Sequence, residues 1–318
     1  MLSAVSELVV TTTADVVNAN DGVVSLREAI SFANSRADIT DVITFASDDS
    51  DAFEDDAVIR LTGGELQITA PLTIDGNTAG GSVVVTGDAN GDDLTFTGTN
   101  ITNFTPTFRF SGNVTDNSVR AFNVISAGNT TLIGLTVTGA FDPSRGASGG
   151  GIYVEDSFLT IQDSIVSGNS TEGELGGGIN LESSSLVLTN STVANNRGEE
   201  GGIFGSGSSI SVSNSTVANN SGFSGGGIVG EDGSTISVSN STVANNSGSF
   251  GGGIVGSVVT VNNSTVSGNT SSRGSFTGGA GITGEILSLN NSTVTGNENL
   301  TVIPVSYTHL TLPTIYSV

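Results

Sequence analysis

The sequence predicts an all-β fold in which short parallel strands wind into a solenoid, a β-helix, with one α-helix near the N-terminus. The prediction depends on a repeat unit between Gly149 and Asn297 and on apolar–polar alternation within each unit. Each unit closes on an Asn or Asp, and successive closing residues are 23 to 28 apart: Asp163, Asn190, Asn214, Asn240, Asn263 and Asn291. A period of this length is typical of a solenoid, and alternation without helical spacing favours strands over helical repeats.

The chain is strongly acidic and lacks several residue types. Its 318 residues carry a formal net charge of −23, with no Cys and no Trp, and all eight basic residues are arginines. Such a surface repels nucleic acid and anionic lipid, so we expect neither as a partner. No apolar run approaches the roughly 18 residues of a transmembrane helix, and the first residues show no secretory signal. We therefore expect either that the start of the sequence is truncated or that export uses a signal elsewhere.

Residues 25–34 form the one segment with helical spacing. Ser25 and Glu28 match a capping box, in which each side chain accepts a hydrogen bond from the other residue's backbone N–H. Apolar residues recur at helical spacing on one side, at Leu26, Ala29, Ile30 and Ala33. We therefore predict that residues 1–45 form an N-terminal cap whose helix covers the open edge of the first strands.

The segment Val24–Ile30 reads Val-Ser-Leu-Arg-Glu-Ala-Ile. It resembles the Cys-Ser-Leu-Arg-Glu-Ala-Ile signature of a group of bacterial surface-associated proteins, with Val24 in the place of the cysteine. In those proteins the signature precedes right-handed parallel β-helix repeats. The resemblance implies a right-handed parallel β-helix with an N-terminal capping α-helix, and an extracellular or cell-surface location.

Strand-like alternation continues through the rest of the chain with two degrees of regularity. Between residues 46 and 148 the alternating segments are unevenly spaced, so we expect irregular first coils there. From 149 to 303 each unit contains a glycine cluster, an apolar alternation and an Asn-Ser-Thr triplet or a variant of it. The alternation predicts that Leu159 and Ile161 point inward and Thr160 outward. By the same parity Ser191 and Val193 point inward.

The asparagine of each Asn-Ser-Thr triplet recurs at one point of the coil. Asparagines stacked at one position can hydrogen-bond along the axis as an amide ladder. We therefore predict a structural ladder made of Asn190, Asn214, Asn240, Asn263 and Asn291. The triplets also match the acceptor pattern for N-glycosylation, which is the alternative interpretation of the same residues.

One turn has the oxygen-rich spacing of a calcium loop. Asp88, Asn90 and Asp92 stand at alternate positions, which places three hard oxygen ligands on one side of a turn. The full calcium-loop pattern requires Gly at its sixth position and Glu at its twelfth, where this chain has Asp93 and Thr99. A calcium site at these three residues is one interpretation, and a plain Asx-rich turn is the other.

Residue types that several catalytic mechanisms need are missing. The only histidine is His309, and there is no Cys or Lys. His309 lies in residues 304–318, which break the repeat and resemble a translated sequencing adapter. We expect this tail to be non-native, and a divergent capping tail is the alternative interpretation. If the tail is left out, the chain has no His, Cys or Lys. This excludes Ser–His–Asp and Cys–His catalysis, and it excludes metal sites that use His or Cys ligands. Carboxylate chemistry stays open, although Arg109, Arg120 and Arg145 have no carboxylate cluster beside them in the sequence.

These features favour a non-enzymatic rod, extracellular or at the cell surface, as an adhesin-like or structural passenger of a larger protein. Its expected partner is an extracellular glycan or a cell-surface component, and the segment is expected to be monomeric. Two alternatives stay open: a β-helix polysaccharide lyase or hydrolase, and a calcium-dependent glycan-binding module. An enzyme would bring at least three carboxylates and an arginine from adjacent coils into one groove. We expect such a site before Gly149, where the repeat is irregular.

Overall fold

The computed structural model describes residues 7–47, 52–89, 119–142, 149–171, 175–272 and 279–299. Within these ranges the strands form three parallel sheets with fourteen, nine and seven strands, so the predicted parallel β-helix is confirmed. In each regular coil the chain passes through the three sheets in turn, and we call them the first, second and third sheet in that order. A coil nearer the N-terminus is described as lying below, and one nearer the C-terminus as lying above.

The strands have the following bounds. The first sheet contains Glu7–Val10, Asp41–Phe45, Leu66–Ile68, Leu72–Asp75, Phe122–Ile133, Ile152–Gln162, Ile179–Glu182, Ser185–Thr189, Ile203–Ser206, Ser209–Ser213, Ile228–Glu231, Thr235–Ser239, Ile254–Asn262 and Ile282–Asn290. The second contains Ala57–Arg60, Val83–Thr86, Leu135–Thr138, Ile165–Ser167, Thr192–Ala194, Thr216–Ala218, Thr242–Ala244, Thr265–Ser267 and Thr293–Thr295. The third contains Phe141–Asp142, Ser170–Thr171, Arg197–Glu200, Ser221–Gly225, Ser247–Gly248, Thr270–Ser271 and Glu298–Asn299.

The core is a continuous column of aliphatic side chains enclosed by the three sheets. Leu159 and Ile161 are buried and Thr160 is half-buried, and Ser191 and Val193 are buried, as their parity predicted. Equivalent residues of neighbouring coils stand in register, so that Val193 pairs with Val217. Because each coil is one strand thick along the axis, it buries its apolar residues only against the coils above and below.

The helix runs over Leu26–Asn34, and a short 3₁₀ helix runs over Gly76–Thr78. Both hydrogen bonds of the capping box are present: the Glu28 N–H donates to Ser25 Oγ at 3.1 Å, and the Ser25 N–H donates to Glu28 Oε2 at 2.9 Å. The backbone N–H of Ser25 is the largest cause that lowers the pKa of Glu28 below its ordinary value. The apolar stripe Leu26, Ala29, Ile30 and Ala33 is buried.

Polar side chains of the helix complete the edge of the strand Leu66–Ile68. Asn34 Nδ2 donates to the carbonyl of Gln67 at 2.8 Å, and the Thr69 N–H donates to Asn34 Oδ1 at 2.9 Å. Arg27 donates to the carbonyl of Glu65 at 2.8 Å. These are the backbone groups that a further coil would otherwise satisfy, so the helix ends the sheet as a cap.

The predicted asparagine ladder was placed on the wrong row. Asn190, Asn214, Asn240, Asn263 and Asn291 are exposed, and each adopts a left-handed backbone with φ between 47° and 50°. No side-chain hydrogen bond joins them within the described ranges. Asn, Asp and Gly adopt this conformation most readily, and the same turn carries Asp163 and Gly134 in the coils below. Turn geometry therefore explains these asparagines.

The amide ladder is formed six residues further along each coil, at the turn between the second and third sheets. Its members are Asn169, Asn196, Asn220, Asn246, Asn269 and Asn297. From Asn169 to Asn269, each Nδ2 donates to the Oδ1 of the asparagine above at 2.9–3.1 Å. Each of these Oδ1 atoms also accepts the backbone N–H of the asparagine below. The ladder thus satisfies backbone groups that the tight turn leaves inside the protein.

The serine of the triplet forms a second ladder, between the first and second sheets. Its members are Ser164, Ser191, Ser215, Ser241, Ser264 and Ser292. Each hydroxyl donates to the carbonyl two residues earlier at 2.7–2.8 Å. From Ser191 upward, each Oγ accepts the backbone N–H of the serine below at 3.0–3.2 Å. Each residue of Asn-Ser-Thr therefore has a structural role, as turn, ladder and outward strand position.

We expect Asn220→Ala to lower the free energy of unfolding by about 2–4 kcal/mol, because the buried N–H of Asn196 loses its acceptor. Asn214→Gly is the matched control, since glycine tolerates the left-handed turn, and it should cost less than about 1 kcal/mol. Urea unfolding of the two variants compares them directly. An equal loss in both, or a greater loss for Asn214→Gly, contradicts the assignment of the ladder.

No helix within the described ranges is long and apolar enough to span a membrane.

Candidate functional site

The predicted calcium turn is described only in part. Asp88 is buried, and its Oδ2 lies 3.4 Å from Arg60 Nη1. Its backbone N–H donates to Thr86 Oγ1 at 3.1 Å. Asn90 and Asp92 lie outside the described residues. Among those that are described, no three His, Cys, Asp or Glu side chains lie close enough together to hold a metal ion. Calcium therefore stays a prediction.

A row of four outward-pointing residues on the first sheet is nevertheless covered: three are buried, and Tyr153 is half-buried. Tyr153, Asn180, Phe204 and Val229 stand in register on four successive coils. Their neighbours along the strands point into the core, so these residues face out. Asn180 is 0% exposed and Phe204 is 1% exposed. They are covered by the chain as it returns from the third sheet to the first.

The returning chain places one position of each coil directly over this row. This position is Gly176 in the coil of Asn180, Gly225 in the coil of Val229, and Gly251 in the coil above that. An added Cβ at Gly225 would lie 2.2 Å from Val229 Cγ2, and one at Gly251 would lie 2.1 Å from Val255 Cγ2. Glycine is needed there because the backbone crosses so close to the sheet. We call this series the glycine column.

Glu200 occupies the glycine column in its own coil. The Gly177 N–H donates to the carbonyl of Glu200 at 2.8 Å, just as the Gly201 N–H donates to that of Gly225. The side chain of Glu200 is only 3% exposed, and its Oε2 has no hydrogen-bond partner in the described structure. Both side-chain amide atoms of the buried Asn180 also lack a partner there. An unpaired buried polar atom is costly, so these atoms mark an unusual corner of the fold.

The environment of Glu200 favours its uncharged form. Burial and then the negative charges of Glu199 and Glu231 raise the pKa of Glu200 to about 8. No salt bridge to Glu200 occurs in the part of the chain that the structure describes. At neutral pH the carboxyl therefore keeps its proton and can both donate and accept a hydrogen bond.

A second polar cluster lies below Glu200 on the same face of the first sheet. The Tyr153 hydroxyl donates to Glu155 Oε2 at 3.2 Å, and the Arg120 guanidinium lies 5.0 Å from the centre of the Tyr153 ring. Arg120 Nη1 is 3.3 Å from Glu65 Oε2, and Asn123 Nδ2 donates to Glu65 Oε1 at 2.6 Å. Burial, with the adjacent carboxylate of Glu182, raises the pKa of Tyr153, so the phenol stays neutral.

Together these groups make an acidic face that can hydrogen-bond and hold a proton. Arg120 pairs with Glu65 and stacks on Tyr153, so its charge is already engaged. Within the described residues, the carboxylates follow one another along the axis and do not converge on one point. The arrangement therefore suits hydrogen bonding more than catalysis that requires several convergent carboxylates.

Reasoning from the sequence did not identify Glu200. The signal was a missing glycine: Gly176–Gly178 and Gly225–Gly227 are triplets, whereas Gly201-Gly202 is a pair preceded by Glu200. We expected a site before Gly149. Glu65, Arg120 and Asn123 do lie there, but Glu200 and Asn180 belong to the regular repeat.

Comparison with known proteins identifies a likeness of fold. A family model described as "Right handed beta helix region" matches residues 150–311, just over half of the chain. A crystal structure of pectate lyase Pel9A is 14% identical with a TM-score of 0.46, and the match covers 93% of this chain and 79% of that one. The cedar pollen major allergen jun a 1 is 12% identical with a TM-score of 0.37, covering 96% and 81% respectively. A search of curated proteins gave no match.

Proposed function

The chain belongs to the family of right-handed β-helix proteins, and from that premise we propose that it is a non-enzymatic rod outside the cell. It would serve as an adhesin-like or structural passenger of a larger protein. The observation that carries this proposal is the pair of internal ladders. They use the repeated Asn and Ser side chains to hydrogen-bond each coil to the next. The most regularly repeated polar residues therefore stabilise the stack of coils.

The dependence of each coil on its neighbour supports the same proposal. In the last described coil Val294 is 44% exposed, whereas its counterpart Val266, which has a coil above it, is 0% exposed. Leu287 and Val259 differ in the same way. A fold that gains its core by adding coils is suited to building length, as in other solenoids.

Two features support a location outside the cell. The segment Val24–Ile30 resembles the signature of bacterial surface-associated β-helix proteins, and its residues form the cap of this solenoid. The formal net charge of −23 favours solubility and disfavours binding to nucleic acid. The partner would be an extracellular glycan or a cell-surface component, bound by a monomer.

Labelling of intact cells tests the proposed location. The turn at Asp232 and Gly233 is exposed and accepts a left-handed backbone, so an epitope inserted there should leave the coil intact. We expect antibody to label intact cells that express the tagged gene. A cytoplasmic protein with the same epitope is the control. Labelling of the tagged chain only after permeabilisation would contradict the proposal.

A polysaccharide lyase or hydrolase is the second candidate, and one observation favours it. The pairing of strands places Glu155 beside Glu182 on adjacent coils, on the face that also carries Arg120. The rod is the stronger proposal because the described carboxylates do not converge and because Arg120 is engaged. Release of oligosaccharides from uronate polymers would reverse this preference.

The third candidate, a calcium-dependent glycan-binding module, is tested by chelation. We expect EDTA to leave the melting temperature unchanged within about 1 °C, because Asp88 is already paired with Arg60. Thermal unfolding followed by circular dichroism, with and without added calcium, measures this. A fall in melting temperature that calcium reverses and magnesium does not would support a calcium site instead.

A further inference from the structure

Glu200 lies at a corner of the coil, formed by residues 197–202, where the chain leaves the third sheet for the first. This corner departs from the repeat in its backbone as well as in its side chains. In the third sheet Arg197 pairs with Ser221 and Gly198 with Gly222, but Glu200 pairs with Gly225. The register shifts between Gly198 and Glu200, so Glu199 stands opposite two residues of the coil above. Such an irregularity is a bulge, and bulges often mark places where a fold serves a purpose besides stacking.

The groups packed around Glu200 favour its neutral form. Its own strand carries Glu199, whose Oε1 accepts a hydrogen bond from Ser224 at 2.6 Å, and the exposed Arg197, which forms no salt bridge with Glu200 in the described structure. The coil above carries Glu231. The coil below presents the neutral amide of Asn180 and the carboxylate of Glu182, and Glu155 follows one coil lower. Apart from the exposed Arg197, the charged groups named here are carboxylates, so a negative charge on Glu200 would be buried near like charges.

We propose that Glu200 is a proton-dependent switch: the neutral carboxyl holds this corner closed over Phe204, and loss of its proton opens the corner. Charged Glu200 would be repelled by Glu199 and Glu231 and would require a hydrogen-bond donor at Oε2, which the described residues do not supply. The chain between Arg197 and Gly202 is the part that would move, because it carries Glu200 as it passes from the third-sheet strand Arg197–Glu200 back to the first sheet. The raised pKa of Glu200 supports this step but is not its basis.

Opening would change the surface that the rod presents. Phe204 and Asn180 are fully covered when the corner is closed. Moving the chain away would expose the aromatic ring of Phe204, on a face otherwise dominated by carboxylates. The corner thus links the pH of the surroundings to a patch that can be covered or uncovered.

Limited proteolysis tests this proposal, because trypsin cleaves after arginine and Arg197 starts the segment that would move. The wild-type chain and Glu200→Gln are digested side by side from about pH 6 to pH 9, and cleavage between Arg197 and Gly198 is followed by mass spectrometry. The ratio of the two rates removes the pH dependence of trypsin itself. Glutamine keeps the shape of the protonated carboxyl, so the variant should stay closed throughout.

We expect the ratio of wild-type to variant cleavage to rise by up to about tenfold per pH unit below about pH 8 and then to level off. Glu199→Gln is the matched comparison: it should still rise with pH, but it should level off at a lower pH than the wild type, because Glu200 loses the repulsion of a neighbouring carboxylate. A ratio that does not change with pH, or no cleavage after Arg197 at any pH, overturns the proposal. A ¹³C-detected titration of the Glu200 carboxyl gives a second readout: a midpoint near that of an exposed glutamate also overturns it.

Discussion

At pH 9 the variant Glu200→Gln is expected to be more stable than the wild-type chain by about 3–5 kcal/mol, and at pH 5 the two should differ by less than about 1 kcal/mol. The reason is the buried carboxyl in the glycine column, which has no partner for Oε2 and lies near two other glutamates. Glutamine removes the charge and keeps the size. Urea unfolding at a series of pH values measures the difference.

The sign of this effect follows from where the proton is held. The pKa of Glu200 is about 8 in the folded chain and near its ordinary 4.5 in the unfolded chain. Between these values the folded state binds more protons than the unfolded state, so unfolding releases a proton and stability falls as pH rises. The loss is complete above about pH 8. Below about pH 4.5 both states are protonated and the group has no effect.

Glu231→Gln is the control for this prediction. Glu231 is exposed, so its charge is screened by water, and its removal should change stability by less than about 1 kcal/mol at any pH. Parallel curves of stability against pH for the wild type and Glu200→Gln would show that Glu200 ionises like an exposed glutamate. That result would remove the physical basis of the closed corner.

Replacing Arg27 by methionine is expected to lower the free energy of unfolding by about 3–5 kcal/mol, because it leaves a buried carboxylate without its counter-charge. The side chain of Asp15 is almost fully buried and accepts hydrogen bonds from Arg27 Nε at 2.7 Å and Nη2 at 2.9 Å. The backbone N–H groups of Thr62 and Gly63 also donate to it, each at 2.8 Å. Arg27 in turn donates to the carbonyls of Gly64 and Glu65 at the sheet edge.

The control for Arg27→Met is Arg197→Met. Arg197 is exposed and forms no salt bridge within the described residues, so its loss should cost less than about 0.5 kcal/mol. The double variant Asp15→Asn with Arg27→Met should recover part of the loss, since no buried charge is then unpaired. If Arg27→Met and Arg197→Met unfold at the same urea concentration, Arg27 does not hold the cap in place.

The sequence predicted the fold because its strongest signals are periodic. The alternation at Leu159 and Ile161 repeats in every regular coil, and the capping box at Ser25 and Glu28 depends only on residues three apart. Such local patterns determine which residues face inward and where the helix begins.

These local patterns did not show which of the two rows of asparagines forms the amide ladder. Asn190 and Asn196 recur with equal regularity, and both stand at turns. The two differ in backbone conformation: the left-handed turn at Asn190 directs its side chain to solvent, whereas Asn196 lies inside the next turn. That distinction depends on how the chain bends between sheets, which hydropathy does not encode.

The candidate site was missed because its evidence is a departure from the repeat. Glu200 looks like an ordinary surface glutamate beside Glu199, and only the stacking of coils places it where the neighbouring coils have glycine. Asn180 likewise follows a buried strand residue in a position that parity assigns to solvent. Their burial results from the return of the chain over the first sheet, which is a property of the assembled coils.

The proposal of a non-enzymatic rod is tested most directly by incubating the purified chain with polygalacturonate and alginate in calcium at about pH 6 and pH 9. New reducing ends and unsaturated uronate ends would be measured, with an authentic lyase as the positive control. We predict no product above the buffer blank at either pH. Product that forms with the wild-type chain and is lost in both Glu182→Gln and Glu200→Gln would contradict the rod and establish an enzyme.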